Sequence, residues 1–130
     1  MKTLRIGISS YEEMKERTMA IARGELKPGD DDPKLWFTTI ESLARVLSDK
    51  NRTLLNLIIE QRPKSIAELE TLSGRAKSNL SRTLKSMERF GLVELLKGEG
   101  STVCPRVPYE EIRLDLPFAH HQRGHFSALR

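Results

Sequence analysis

Residues 65–93 read SIAELETLSGRAKSNLSRTLKSMERFGLV, and this stretch predicts two helices separated by a short turn. Ser65 and Glu68 have the spacing of a capping box, in which each side chain accepts a hydrogen bond from the other residue's backbone N–H. We therefore expect the first helix to begin at Ser65 and to end near Leu72. Gly74 then breaks the chain, because glycine readily adopts the left-handed backbone that ends a helix.

The second helix of the stretch is expected over about residues 77–90. Leu80, Leu84 and Met87 recur at helical spacing and would form its buried face. Gly91 follows at the position where a helix commonly ends in a left-handed residue. The stretch thus predicts a short helix, a tight turn and a longer helix.

The flanking sequence extends this pattern on both sides. An apolar periodicity predicts a helix over about 50–61, and Pro63 would stop it. Residues 93–97 and 102–107 are expected to be two strands joined by a turn at 98–101. Three helices with a tight turn between the last two, followed by a hairpin, are typical of a winged helix-turn-helix. We therefore predict a mainly α fold with a small β-hairpin, preceded by an N-terminal strand-helix arm.

The basic charge of the chain is concentrated in the same region. The 130 residues carry 22 Lys+Arg and 18 Asp+Glu, for a net charge of +4. Residues 1–61 and residues 98–130 each balance to zero, so that 62–97, with 8 basic and 4 acidic residues, holds the whole excess. A local basic excess is expected where a protein binds phosphate, although a solvated basic helix would show it too.

The outer face of the second helix carries the side chains that double-stranded DNA binding requires. Arginine and asparagine can make paired hydrogen bonds to base edges in the major groove, and serine can serve either base type. The more C-terminal Lys85 and Arg89 are expected to contact phosphates, which position the protein without specifying sequence. The predicted DNA-binding residues of this helix are Lys77, Ser78, Asn79, Ser81, Arg82, Lys85 and Arg89.

Further DNA contacts are expected from the segments around this helix. The candidates in the flanks and in the hairpin are Lys64, Ser65, Arg75, Lys97, Ser101 and Thr102. The hairpin tip has Lys97 as its nearby cation and also contains Glu99, which disfavours deep insertion into the minor groove. We therefore expect phosphate contacts at most from the hairpin.

Residues 49–107 resemble winged-helix regulators of the MarR and ArsR type. The resemblance lies in an apolar-Ser-Arg-x-Leu core, here Leu80 to Leu84, and in the exit from Leu84 to Val93 with its Met-Glu and Gly-Leu-Val. It implies a sequence-specific, dimeric transcriptional repressor. One position departs from the family: Ala76 stands where these proteins commonly have a serine or threonine N-cap, and losing such a cap costs about 1 kcal/mol.

The rest of the chain resembles a smaller subgroup, the TumA-like antitoxins of toxin–antitoxin modules. The features that carry this resemblance are the arm at 3–23, the pair Trp36-Phe37, and residues 105–112, which read PRVPYEEI. The resemblance implies that the protein represses its own operon and binds a toxin protein.

The composition along the chain predicts four segments. Residues 1–24 form a strand-helix arm for dimerisation or partner binding, and 25–33 are a linker rich in proline, glycine and aspartate. Residues 34–116 form the winged helix-turn-helix domain, and 117–130 a flexible tail. In the arm, Ser10 and Glu13 repeat the capping-box pattern.

A two-fold dimer is expected, because one such domain covers little DNA. The interface candidates are apolar residues of the arm and of a predicted helix face that precedes the helix at 50–61: Leu4, Ile6, Ile8, Trp36, Ile40, Leu43 and Leu47. The strand at 3–8 could add to this interface across the two-fold axis. Packing of the helix face on the protein's own core is the alternative.

Several functions are disfavoured by the sequence. No apolar run is long enough to span a membrane, and the first residues lack the apolar core of a secretory signal, so a cytoplasmic location is expected. Cys104, the single cysteine, excludes an intramolecular disulfide and a multi-cysteine zinc site. The chain has no phosphate-cradling glycine loop and no nucleophile motif, so we predict neither an enzyme nor a cofactor.

Two alternatives to the toxin-linked repressor stay open. One is a ligand-responsive MarR/ArsR-type repressor without a toxin partner, and the other is a winged helix that binds RNA or protein. A metal-sensing version would need ligands such as His120, His121 and His125. Because Pro117 and Gly124 disfavour a regular helix there, we predict no metal site.

Overall fold

A computed structural model describes residues 2–30 and 32–116, and the predicted tail at 117–130 with its three histidines lies outside this part of the chain. No helix within the described ranges has both the length and the apolar character needed to cross a membrane. The helices are α1 (Tyr11–Ala22), α2 (Ile40–Val46), α3 (Asp49–Gln61), α4 (Ile66–Ser73) and α5 (Lys77–Arg89). The strands are β1 (Thr3–Ile8), β2 (Leu35–Phe37), β3 (Glu94–Lys97), β4 (Val103–Arg106) and β5 (Glu111–Asp115).

The chain forms two compact units. Within the described residues, unit 1 comprises Lys2 together with Ala44–Glu110, and unit 2 comprises Thr3–Leu43 together with 111–116. The boundary falls inside α2, between Leu43 and Ala44. Unit 2 thus joins the two ends of the described sequence.

Unit 2 is built on a three-stranded parallel sheet with the order β2-β1-β5. β1 lies in the centre, where Ile6 is in register with Leu35 of β2 and with Leu114 of β5. Leu4 and Ile6 of β1 are buried, as is Phe37 of β2. The strand predicted at 3–8 is therefore confirmed as β1, and it is the inner strand of a sheet.

The sheet corrects the predicted fold class. The described residues form a mixed α/β structure with five helices and five strands, not a mainly α fold with one hairpin. The sequence did not predict the pairing of β1 with β2 and with β5. Thr3 and Glu111 are partners from opposite ends of the chain, and a pairing over such a separation leaves no local pattern in the sequence.

The helix ends of unit 2 follow their capping residues. The Ser10 hydroxyl accepts from the Glu13 N–H at 3.1 Å, and the Ser10 N–H donates to the Glu13 carboxylate at 3.1 Å, so the predicted capping box is confirmed. The residues 38–41, Thr-Thr-Ile-Glu, also have the spacing of a capping box with Thr38 as the cap. The capping oxygen is instead that of Thr39, which accepts from the Ser42 N–H at 3.1 Å, and α2 begins at Ile40.

Trp36 was predicted to share a helix face with Ile40, and this is wrong. Trp36 lies in β2, in register with Gly7 of β1. A Cβ atom on Gly7 would approach the Trp36 ring more closely than carbon atoms can, so only glycine leaves room for the indole. The i, i+4 spacing between Trp36 and Ile40 is a coincidence across the end of a strand and the start of a helix.

Unit 1 contains α3, α4, α5 and the antiparallel hairpin of β3 and β4, in which Leu95 faces Pro105. The three helices lie within a residue or so of their predicted bounds, and the predicted hairpin is confirmed. The buried residues come from all three helices and from the start of the hairpin. They are Leu54, Leu55, Ile58, Leu69, Leu80, Leu84, Met87, Leu92 and Val93, and the two prolines Pro63 and Pro105 are buried as well.

Candidate nucleic-acid interface

α5 has one buried and one accessible face. Leu80, Leu84 and Met87 are buried, as the sequence predicted. Of the seven residues predicted to contact DNA, five are exposed and two are half-buried. The exposed residues are Lys77, Ser78, Arg82, Lys85 and Arg89, and the half-buried ones are Asn79 and Ser81.

The basic side chains of this face are not neutralised by the protein itself. None of Lys77, Arg82, Lys85 and Arg89 forms an ion pair with a carboxylate among the described residues, whose ion pairs involve other cations. Arginine and lysine side chains without acidic partners retain their full attraction for phosphate. The accessible face of α5, defined here by those four residues with Ser78, therefore carries an excess of positive charge, and the exposed Glu88 is the acidic residue on it.

The first turn of α5 lacks a side-chain cap. Ala76 occupies the N-cap position with an extended backbone, φ −65° and ψ 146°, and no side chain accepts from the first turn at that position. The preceding helix α4 ends at Gly74, whose φ of 75° is left-handed. The Ser73 hydroxyl, one residue earlier, accepts from the Arg75 N–H at 3.1 Å, so it orders the turn without capping α5.

Arg75, which the sequence placed among the flanking DNA contacts, is half-buried and bonded inside unit 1. Its Nε donates to Asn79 Oδ1 at 2.8 Å and its Nη2 to Thr83 Oγ1 at 3.2 Å, both on α5. Its Nη1 donates to Asn51 Oδ1 on α3 at 3.4 Å. The Asn51 amide in turn donates to the Val46 carbonyl at 3.0 Å. The planar guanidinium thus joins α5 to α3, a use that lysine could not reproduce.

The same contacts change the interpretation of Asn79. A paired contact with adenine uses both the oxygen and the nitrogen of the asparagine amide. Asn79 Oδ1 is already bonded to Arg75, and the residue is half-buried. Asn79 therefore orients the helix in this structure, while Ser78 and Arg82 remain the exposed candidates near the front of α5.

Two further flanking candidates have hydroxyls that serve the local fold. Ser65 caps α4 by accepting from the Glu68 N–H at 3.0 Å. Thr102 donates to the Glu99 carbonyl at 2.7 Å inside the turn between β3 and β4. Lys64, Lys97 and Ser101 are exposed, and the contacts of the described residues show no hydrogen bond from their side chains to the local backbone.

The sequence did not identify Asn51 and Thr83 as members of this network. Both are half-buried, and both accept hydrogen bonds from Arg75. Thr83 is a polar residue next to the buried Leu84. This position in the sequence is the signal that could have indicated a half-buried hydrogen bond at Thr83. The partner could not be inferred, because a long side chain such as that of Arg75 can point several ways.

Some of the residues predicted for a dimer interface are buried, and others are accessible. Leu4, Ile6 and Leu43 are buried in the chain's own fold, and β1 already pairs on both of its edges. β1 therefore cannot extend a sheet across a two-fold axis, which corrects the prediction for the strand at 3–8. Ile40 is exposed, and the remaining candidates are half-buried: Ile8, Trp36 and Leu47.

No cluster of histidine, cysteine and carboxylate residues with metal-binding geometry occurs within residues 2–30 and 32–116. Cys104 is half-buried, and its thiol lies 3.5 Å from the Pro63 carbonyl oxygen. The histidines at 120, 121 and 125 lie outside the described residues.

Comparison with family models gives a match over the region that contains α5. The model of the HVO_A0114 family matches residues 46–114, just over half of the chain, from the last residue of α2 through most of β5. Neither the curated proteins nor the solved structures contain a match to this chain. The matched range includes α3, α4, α5 and the hairpin, and with them the whole positive face of α5. The chain belongs to the HVO_A0114 family.

Proposed function

We propose that unit 1 is a winged helix-turn-helix domain that binds double-stranded DNA in a sequence-specific manner, and that the protein is a transcriptional repressor. In this proposal α5 is the recognition helix and lies in the major groove, and β3 and β4 are the wing. The observation that carries the proposal is the accessible face of α5, on which Lys77, Arg82, Lys85 and Arg89 have no acidic partner among the described residues.

The order of elements supports the same function. α4 and α5 are joined by the three residues 74–76, the length of turn that a helix-turn-helix motif uses. The N-terminal residues of the second helix then contact base edges. At the front of α5, Ser78 and Arg82 are exposed and can donate to bases, whereas Lys85 and Arg89 lie further along and would contact phosphates.

The hairpin contributes less to the proposed binding. Lys97 and Ser101 are exposed near its tip and can contact phosphates. The Thr102 hydroxyl is used within the turn, and Glu99 would be repelled by the DNA backbone. We therefore assign base readout to α5 and phosphate contacts to the hairpin.

The test is selection of DNA by the full chain from a pool of duplexes with a random core of about 30 base pairs, long enough for two half-sites one helical turn apart. The wild-type protein should enrich a defined sequence. The double variant Arg82→Ala/Lys85→Ala should lose this enrichment. A matched control, Lys15→Ala/Lys27→Ala, removes the same charge from exposed positions of unit 2 and should enrich the wild-type sequence. Equal behaviour of the two variants, or no enrichment by the wild type, would contradict the proposal.

A toxin partner stays a prediction from resemblance. It is tested by expressing the gene adjacent to this one alone and together with the present chain, and a neighbour that is harmless by itself would remove the hypothesis. Deletion of residues 1–24 would be a poor test, because it removes β1, the central strand of the sheet in unit 2.

A further inference from the structure

Among the described residues, the sheet of unit 2 has a free edge at β5. In the described sheet β1 is flanked on both sides, so β2 and β5 are the edge strands. β2 has only three residues and follows closely after Pro33, whereas β5 has five residues and no proline. An edge strand presents a row of unpaired N–H and C=O groups that another strand can join. β5 is the edge that is suited to such pairing.

The apolar side chains of β5 are also uncovered. Leu4 and Ile6 of β1 are 3% and 0% exposed, but their register partners Ile112 and Leu114 are 40% and 46% exposed. Leu116, which follows on the same face, is 40% exposed. Parallel sheets are usually covered on both faces. This face of the sheet is thus buried at β1 but exposed at β5. The exposed apolar side chains of β5 and of the residue after it, Ile112, Leu114 and Leu116, are called the apolar stripe.

The sequence of this edge is complementary to itself when two copies run antiparallel about a two-fold axis at Leu114. Leu114 then faces Leu114 of the other copy, and Ile112 faces Leu116, so the whole apolar stripe pairs on one face. On the opposite face Arg113 faces Asp115, and Asp115 faces Arg113. Apolar pairs and opposite charges that face each other directly stabilise a sheet.

Other registers do not share these properties. An axis at Arg113 would place the two Arg113 side chains opposite each other and Glu111 opposite Asp115. An axis at Ile112 would place Leu114 opposite Glu110. An axis between two residues would mix the apolar and the charged faces, since neighbouring side chains of a strand point to opposite sides. Only the axis at Leu114 buries the stripe and pairs every charge between Ile112 and Leu116.

We propose that β5 pairs antiparallel with β5 of a second copy of this chain, with the two-fold axis at Leu114, and thereby joins two three-stranded sheets into one of six strands. Such an interface uses the same surface on both subunits, as two-fold dimers do. Within each chain, Asp115 lies 3.3 Å from Arg5, and Arg113 lies 3.3 Å from Glu111. The paired edges therefore meet as rows of alternating charge. This inference does not depend on DNA binding and stands on unit 2 alone.

The register is tested by cysteine cross-linking of the full chain in a Cys104→Ser background, in which the added thiol is the only one. Directly opposed residues of antiparallel strands have Cα atoms about 4.5–5.5 Å apart, which a disulfide can bridge. Leu114→Cys should therefore give a covalent dimer on mild oxidation. Ile112→Cys is the matched control, because its two copies would lie four positions apart along the strands, about 13 Å. A covalent dimer of Ile112→Cys at a similar or higher yield would overturn the proposal, as would no dimer of Leu114→Cys.

The apolar stripe is tested by sedimentation equilibrium. The wild type should be dimeric at about micromolar concentrations. Leu114→Lys should raise the dimer dissociation constant by about tenfold or more, because two lysines would then face each other at the axis. Leu96→Lys changes a similarly exposed leucine of β3 and should leave the dissociation constant unchanged. A monomeric wild type, or equal effects of the two substitutions, would contradict the proposed interface.

Discussion

Arg75 donates from its Nε atom to Oδ1 of Asn79 over 2.8 Å, and so links the turn before α5 to the first turn of the helix. The remaining guanidinium nitrogens reach Thr83 on α5 and Asn51 on α3. A side chain that was expected to contact DNA is thereby used to hold the proposed recognition helix. The two roles lead to different results in binding experiments.

Arg75→Gln should weaken DNA binding without changing its salt dependence. Each phosphate contact contributes about 0.9 to the slope of log K against log salt, so loss of a positioning residue leaves the slope unchanged. It should also reduce discrimination between the selected duplex and one with a changed base pair. The measurement is a titration of both duplexes at several salt concentrations. Arg89→Gln is the control, and its slope should fall by about 0.9. A similar fall for Arg75→Gln would show that Arg75 contacts phosphate.

Ala76→Ser should stabilise the protein. The backbone at Ala76 is already extended, so a serine hydroxyl there could accept from the Asn79 N–H in the first turn of α5. Such a cap stabilises by about 1 kcal/mol, or roughly 4 °C in melting temperature for a chain of this size. Ser65→Ala, which removes the existing cap of α4, should shift the melting temperature by a similar amount in the opposite direction. An unchanged melting temperature for Ala76→Ser would refute the expected cap.

Arg82 and Arg89 should affect DNA binding in different ways. Arg82 lies nearer the front of α5, so Arg82→Ala should cost about 1–3 kcal/mol of discrimination at one base-pair position. Arg89 lies at the end of α5, so Arg89→Ala should weaken binding to all sequences alike. Binding of each variant to a set of single-base variants of the selected duplex separates the two effects. If both variants lost affinity uniformly, Arg82 would be a phosphate contact.

Asp32 should make the stability of the protein depend on pH. The Gly29 N–H donates to its carboxylate at 2.7 Å, and together with Arg17 at 3.0 Å it holds the pKa of Asp32 below its ordinary value. A lowered pKa in the folded state stabilises the protein above the unfolded pKa, and this contribution is lost as the pH falls through the folded pKa.

Asp32→Asn should therefore lower the urea midpoint near pH 7 and have a smaller effect near pH 3, below the ordinary pKa of an aspartate at about 3.9. Asp30→Asn removes an exposed carboxylate from the same loop and should leave the midpoint near that of the wild type at both pH values. An equal loss for Asp32→Asn at both pH values would mean that the charge of Asp32 does not stabilise the fold.

The sequence predicted unit 1 well because its elements carry local signals. Leu80, Leu84 and Met87 recur at helical spacing and are buried, and Gly74 adopts the left-handed backbone expected at a helix end. Helical periodicity and capping depend on residues a few positions apart, so both can be recognised in a single sequence.

Unit 2 and the details of the site were harder to predict from the sequence. Parallel pairing of Thr3 with Glu111 brings together residues from opposite ends of the chain, and β2 is too short for an alternating pattern. Trp36 was therefore assigned to a helix. In the site, the exposed face of α5 could be predicted, but the direction of the Arg75 side chain could not. That direction depends on Asn51, which reaches it only after α3 and α5 have packed.

The salt dependence of DNA binding tests the central claim most directly. The full chain should bind its selected duplex more tightly than a scrambled duplex of equal length, and the affinity for both should fall steeply between about 50 and 200 mM salt. This result is predicted because the cations on the accessible face of α5 have no acidic partners among the described residues. Equal affinity for the two duplexes at every salt concentration, or no binding at the lowest, would contradict sequence-specific DNA binding.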